Sequence, residues 1–165
     1  MMHKKIYVLL VSIVLLSGCS GEYLYSKDSI SIGQIGNSVL PDYKNVTIME
    51  LTIADLFSDT LKNDYDFLII DPLFFEAVSD DLFIDVFHDK ELTVLFLGSG
   101  KGYAPFLKQA KGDVPKTYND YNHALPKQAI FIRYGQDDTH RTTAMQMDEV
   151  LAKEDFEQLV QRLYD

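Results

Sequence analysis

Two short stretches constrain this chain more than anything else in it: Phe67-Leu68-Ile69-Ile70 and Leu92-Thr93-Val94-Leu95-Phe96-Leu97. A strand with one wet face alternates apolar and polar residues, so runs this uniformly apolar predict strands covered on both faces. Asp71-Pro72 ends the first run, and Gly98-Ser99-Gly100-Lys101-Gly102 follows the second. Helical spacing appears around them. Thr52 is placed to cap a helix through Lys62, with Ile53, Leu56, Phe57 and Leu61 inward and Asp55, Asp59 and Lys62 outward. From Leu73 to His88, apolar positions 74, 77, 78, 82 and 86 mix with acidic 76, 80, 81 and 85 as in an amphipathic helix, which Ser79 is placed to split.

Ser29 to Ile35 alternates Ile with small or polar residues, and Asn45 to Thr52 reads as a second strand. The gap between them is tight for a helical crossover, so a loop alone is expected there. Ala104-Pro105 favours a short helical turn, and residues 112–128, with Pro115 and Pro126, read as a surface excursion. Ala129 to Tyr134 is a further strand, with Arg141 to Met147 as the other arm of a hairpin and a final helix striped by Phe156, Leu159, Val160 and Leu163. The expectation is a single three-layer α/β domain with a mainly parallel sheet of about five strands, a C-terminal hairpin and a final helix.

The first nineteen residues carry a different message. His3, Lys4 and Lys5 form a basic head, Ile6 to Leu16 an uncharged apolar run, and Leu16-Ser17-Gly18-Cys19 the close. These are the parts of an export signal. Eleven helical residues rise only about 16 Å, short of a hydrocarbon core of about 30 Å, so a permanent span is disfavoured. Leu16-Ser17-Gly18-Cys19 resembles the lipobox of bacterial lipoproteins, and the chain as a whole resembles the small lipoproteins of Gram-positive species. The resemblance implies lipidation of Cys19 through a diacylglyceryl thioether, removal of residues 1–18 as a signal peptide and attachment to the extracytoplasmic face of the cell membrane. Residues 19–28 then form a lipidated tether, from which Tyr23, Leu24 and Tyr25 either extend or pack back, and residues 29–165 form the α/β domain. Two acyl chains hold a protein more firmly than the marginal attachment given by one.

Cys19 is the only cysteine, so no disulfide supports the fold and an apolar core rich in Phe and Tyr, ten of each, has to do so. The formal charge is -10, and it becomes two units more negative when Lys4 and Lys5 leave with the signal. A chain this acidic has no electrostatic footprint for nucleic acid, and its body as a whole is repelled by anionic headgroups. The membrane, through the lipid on Cys19, and a protein or peptide of unknown identity are the partners expected.

Candidate chemistry gathers at the predicted carboxyl ends of the strands, where open α/β sheets place their crevices: Asn37, Asp71, Ser99 and Lys101. The Gly98 to Gly102 loop could cradle an anion with Lys101 beside it, although it lacks the full phosphate-loop and dinucleotide patterns. Tyr65 to Phe106 is similar to the middle of flavodoxin-type domains, which implies a flavodoxin- or Rossmann-like fold. Gly33 to Ser38 lacks their hydroxyl-rich phosphate loop, so no flavin is expected. Asp71 resembles the phospho-accepting aspartate of receiver domains, but the acidic pair those domains use for magnesium is missing from Ile35-Gly36-Asn37. His88, His123 and His140 are scattered without metal-ligand spacing, and Asp137-Asp138 reads as a solvated turn. Asp80, Asp81 and Asp85 lack the pattern of a calcium loop, and Gly98-Ser99-Gly100 is not a serine-nucleophile motif. The tyrosines between 118 and 134, with Tyr103, could form an aromatic contact surface, but core and loop anchoring accounts for most of them.

The sequence therefore favours a lipid-anchored, non-catalytic binding or interaction module with no cofactor, metal or catalytic residue. The alternatives are a small-ligand binder or enzyme using the strand-end crevice, and an immunity lipoprotein that intercepts a cationic peptide.

Overall fold

The computed structural model describes residue 24, residues 28–148 and residues 151–164. The segment expected to be a signal peptide, Cys19, and all of the expected tether except Leu24 and Asp28 lie outside the described residues.

Six strands form one sheet: β1 (Ile30–Ile35), β2 (Val46–Leu51), β3 (Phe67–Ile70), β4 (Thr93–Ser99), β5 (Gln128–Tyr134) and β6 (His140–Gln146). Their order is β2-β1-β3-β4-β5-β6. The first four are parallel, β5 runs antiparallel to β4, and β6 returns along β5 as a hairpin.

This corrects the expectation of a mainly parallel, flavodoxin- or Rossmann-like sheet of about five strands: the second half of a six-stranded sheet is antiparallel. The physical reason lies in residues 100–127. A parallel β5 would need this connection to cross to the far end of the sheet, usually as a helix. Instead the excursion ends where it began, with the Leu125 N–H donating to the Gly100 carbonyl at 2.7 Å. The chain therefore enters β5 from the end at which it left β4. At the other side of the sheet, β1 and β2 are joined by a loop with no crossover helix, as the short spacing requires.

The two uniformly apolar runs are the central strands β3 and β4, and alternation sends their side chains to two cores. Leu68, Ile70, Val94 and Phe96 face one core with Phe75, Phe87 and Phe106, while Phe67, Ile69, Leu95 and Leu97 face the other with Phe156, Leu159 and Leu163. Short helices α1 (Leu61–Asp64), α2 (Phe75–Val78) and α3 (Asp81–Asp89) cover the first face, and α4 (Lys153–Tyr164) covers the second. Leu24 is fully buried in that second core, and its backbone is held by the Asn45 side chain.

The helix expected from Thr52 to Lys62 is also corrected. It forms only a 3-10 turn, Ile53–Phe57, followed by α1, with Ser58 extended between them. Hydroxyls of Ser58 and Thr60 bond each other and the Thr60 hydroxyl bonds Asp64, a local network that competes with a continuous helical ladder. The Leu73 to His88 segment divides at Ser79, and Asp80 caps α3 by accepting from Leu82 N–H at 2.9 Å.

Candidate functional site

Parallel strands β1, β3 and β4 point their carboxyl ends at a cleft of about 400 Å³. Gly36 packs against Asp71, which lines this cleft. Gly36 adopts a φ of +105°, and a Cβ there would lie 2.3 Å from the Asp71 Cβ, so only glycine lets the two strand ends approach this closely. The loop that follows is held from below: the buried Gln34 side chain donates to the carbonyls of Gly36, at 3.2 Å, and Ser38, at 2.8 Å.

Asp71 is the anion of the cleft, and both of its oxygens are in use. Oδ1 accepts from Leu73 N–H at 3.0 Å, capping the turn Pro72–Phe74, and Oδ2 accepts from the Ser38 hydroxyl at 3.0 Å. A carboxylate committed in this way is a structural clamp between β1 and β3, which is a poor starting point for nucleophilic or phospho-accepting chemistry. Lys127 lines the opposite side of the cleft, Leu97 and Leu151 are buried in its floor, and Val39 and Leu73 stand at its rim 76% and 82% exposed.

The structure separates the four residues that the sequence brought together. Asp71 lines the cleft beside Ser38, and Asn37 is exposed on the adjoining loop. Ser99 is fully buried, with its hydroxyl donating to the Gly102 carbonyl at 2.8 Å. Lys101 turns toward the other core, where its Nζ donates to the Tyr118 carbonyl at 2.7 Å and lies 4.8 Å over the Tyr118 ring. Gly100 N–H donates to the Tyr118 hydroxyl at 3.0 Å, so this loop spends both its amide and its cation on Tyr118. The loop holds the excursion in place.

The excursion is pinned from a second side by α2. Glu76 accepts from the Thr117 hydroxyl at 2.6 Å and from Asn119 N–H at 2.7 Å, while Ser79 Oγ accepts from Tyr118 N–H at 2.6 Å. Tyr118 lies against Phe75 and Phe106, and Phe106 stacks on Phe96 with centroids 3.8 Å apart. Tyr118 and Tyr134 thus serve the core: burial raises the Tyr134 phenol well above its usual range, and its hydroxyl donates to the Phe106 carbonyl at 2.7 Å.

The histidines lie apart from one another. His88 is buried with Nδ1 at 2.8 Å from the Gly135 carbonyl, His123 Nε2 lies 2.9 Å from the Lys101 carbonyl, and His140 is exposed at the start of β6. Among the described residues no group of His, Cys, Asp or Glu is arranged to hold a metal ion. Asp85 and Asp138 both pair with Lys108, at 2.9 and 3.0 Å, and hold its ammonium well above the usual lysine range, Asp85 contributing more.

Sequence reasoning missed Val39, Leu73 and Lys127. Leu73 carried a signal, being an apolar residue directly after a strand-ending Asp71-Pro72. Lys127 comes to the cleft only because β5 runs antiparallel, and nothing local announces that. The cleft sits at the carboxyl ends of the parallel strands, while Asn45 holds Leu24 at their amino ends, just before β1 and β2 begin. A six-residue strand separates these poles by about 20 Å. Among the described residues no helix is long and apolar enough to cross a membrane. Comparison with protein families, curated proteins and solved structures gives no match for this chain.

Proposed function

We propose that this chain is a lipid-anchored, extracytoplasmic interaction module whose strand-end cleft receives an apolar side chain of a protein or peptide partner. The observation that carries the reading is the pair Val39 and Leu73, two large apolar side chains left exposed at the rim of one cleft. Exposed apolar groups around a concavity with a few polar groups are the usual makings of a recognition site. Asp71 is held by Ser38 and Leu73, so the cleft offers shape and apolar area in place of a reactive group. Further support comes from polarity along the chain. A tether leaving Leu24 from the amino ends of the strands would turn the cleft away from the bilayer, toward partners outside the cell.

A photocrosslinking amino acid at Leu73 in intact cells tests this, with the same group at Leu82 as control. Leu82 is also exposed, but it lies on α3 away from the cleft. The expected result is a discrete crosslinked product from position 73 that position 82 does not give. Identical patterns from the two positions, or no product at 73, would overturn the cleft as the point of contact.

A further inference from the structure

The chain has only three arginines, Arg133, Arg141 and Arg162, and all three line one pocket of about 250 Å³ between β5, β6 and the last turn of α4. Two of them are direct neighbours: the hairpin register sets Arg133 opposite Arg141. Like charges facing each other across a strand pair destabilise it. Arg133 is positioned by donating to the Leu163 carbonyl at the end of α4, and Arg162 comes from the same helix turn. Among the described residues no arginine of the three is paired with a carboxylate. Thr142 and Thr143 also line the pocket, and alternation along β6 puts Thr143 on the same face as Arg141. Three exposed arginines lining one pocket in a chain of net charge -10 make a local site for an anion, and the planar guanidinium fork suits the oxygens of a phosphate.

The position of the pocket points to the source of that phosphate. Arg133 stands opposite Thr93, the first residue of β4, and the neighbouring Tyr134 N–H donates to the Leu92 carbonyl. The pocket therefore lies at the amino ends of the parallel strands, the pole at which Leu24 is clasped. From β1 to β6 is four strand spacings, about 19 Å. From Leu24 to Cys19 is five residues, which span about 18 Å at most. A lipid on Cys19 would thus keep this pole within reach of the headgroups. Two carboxylates near this pole are engaged elsewhere: Asp66 accepts from Ser31 N–H, and Glu91 pairs with Lys62.

We infer that the three-arginine pocket binds the phosphate of a membrane lipid headgroup and so fixes the orientation of the domain on the bilayer. The choice of a lipid source rests on the anchor at Cys19, while the pocket's affinity for phosphate does not. Because the chain has no other arginine, phenylglyoxal, which modifies guanidinium groups, reports on this site alone.

The processed protein extracted from cells is compared in maltoside detergent, in detergent with inorganic phosphate, and in phosphatidylglycerol vesicles, with modification at each arginine read by mass spectrometry. The expected result is slowing in vesicles by about tenfold, as for a site nine-tenths occupied. In the R141Q/R162Q variant, Arg133 should lose that protection. Protection by inorganic phosphate without protection in vesicles would overturn the lipid source. No protection in either would overturn the pocket as an anion site. Failure to associate with vesicles at all would refute the anchor, and with it the lipid source, while the phosphate arm still decides the pocket.

Discussion

Asn45 clasps the backbone of Leu24 from both sides: its Oδ1 accepts from Leu24 N–H and its Nδ2 donates to the Leu24 carbonyl, each at 2.8 Å. One side chain thereby fixes Leu24 against the domain. Asn45→Ala strands two buried polar groups and should cost about 1–3 kcal/mol. Urea unfolding reads the cost, and limited proteolysis should show faster cleavage near residue 24. An unchanged midpoint and cleavage pattern would show that the clasp contributes nothing.

Gly36→Ala should be more damaging than a usual loop substitution. Its φ of +105° is left-handed and its Cβ would press on Asp71, so the change is expected to destabilise by about 2 kcal/mol or more. It should also weaken any product crosslinked through Leu73, because Ser38 and Asp71 would be forced apart. Loss of stability with an unaltered crosslink would separate the clamp from recognition.

Lys101→Met removes the hydrogen bond to the Tyr118 carbonyl and the cation over its ring while keeping most of the aliphatic stem. The expected loss is about 1 kcal/mol, read by urea unfolding. Hydrogen exchange should rise first at Tyr118 and Gly100 N–H, since both belong to the same latch. If exchange there is unaltered, Glu76 and Ser79 hold the excursion by themselves.

Acid should weaken the fold in part through two surface carboxylates. Hydrogen bonds from the Thr52 N–H and then its hydroxyl hold Asp55 below its ordinary 3.8, and the bond from Lys62 holds Glu91 below 4.5. Each folded-state pKa is depressed, so the unfolded chain binds protons first as pH falls. The stabilisation is complete above these ordinary values and is lost as pH drops through them toward the lower folded values. Both groups are accessible to water, so the effect is small and weakens further in salt. Urea midpoints measured from neutral pH down to about pH 3 should fall, and Asp55→Asn should flatten part of the curve. A midpoint that holds or rises on acidification would contradict the assignment.

The central strands were legible because Phe67 to Ile70 and Leu92 to Leu97 are apolar on both faces, and that pattern has one common solution. The hairpin and the final helix were legible through local period and turn residues. Strand direction was not. Whether β5 is parallel or antiparallel to β4 depends on where residues 100–127 return, and the Leu125 to Gly100 bond that decides it is a tertiary contact. The site suffered from the same gap. Lys101 follows a strand that ends beside Asp71, so sequence placed both in one crevice, yet Tyr118 draws the lysine to the opposite face. The arginine pocket is visible only once Arg133 and Arg141 are set in hairpin register.

The account stands most directly on the state of Cys19, and the mass of the amino-terminal peptide of the protein extracted from cells measures it. The expected peptide begins at Cys19 and carries a diacylglyceryl thioether on its sulfur. A peptide beginning at Met1 or Met2, with the apolar stretch intact and a free thiol at Cys19, would contradict the account.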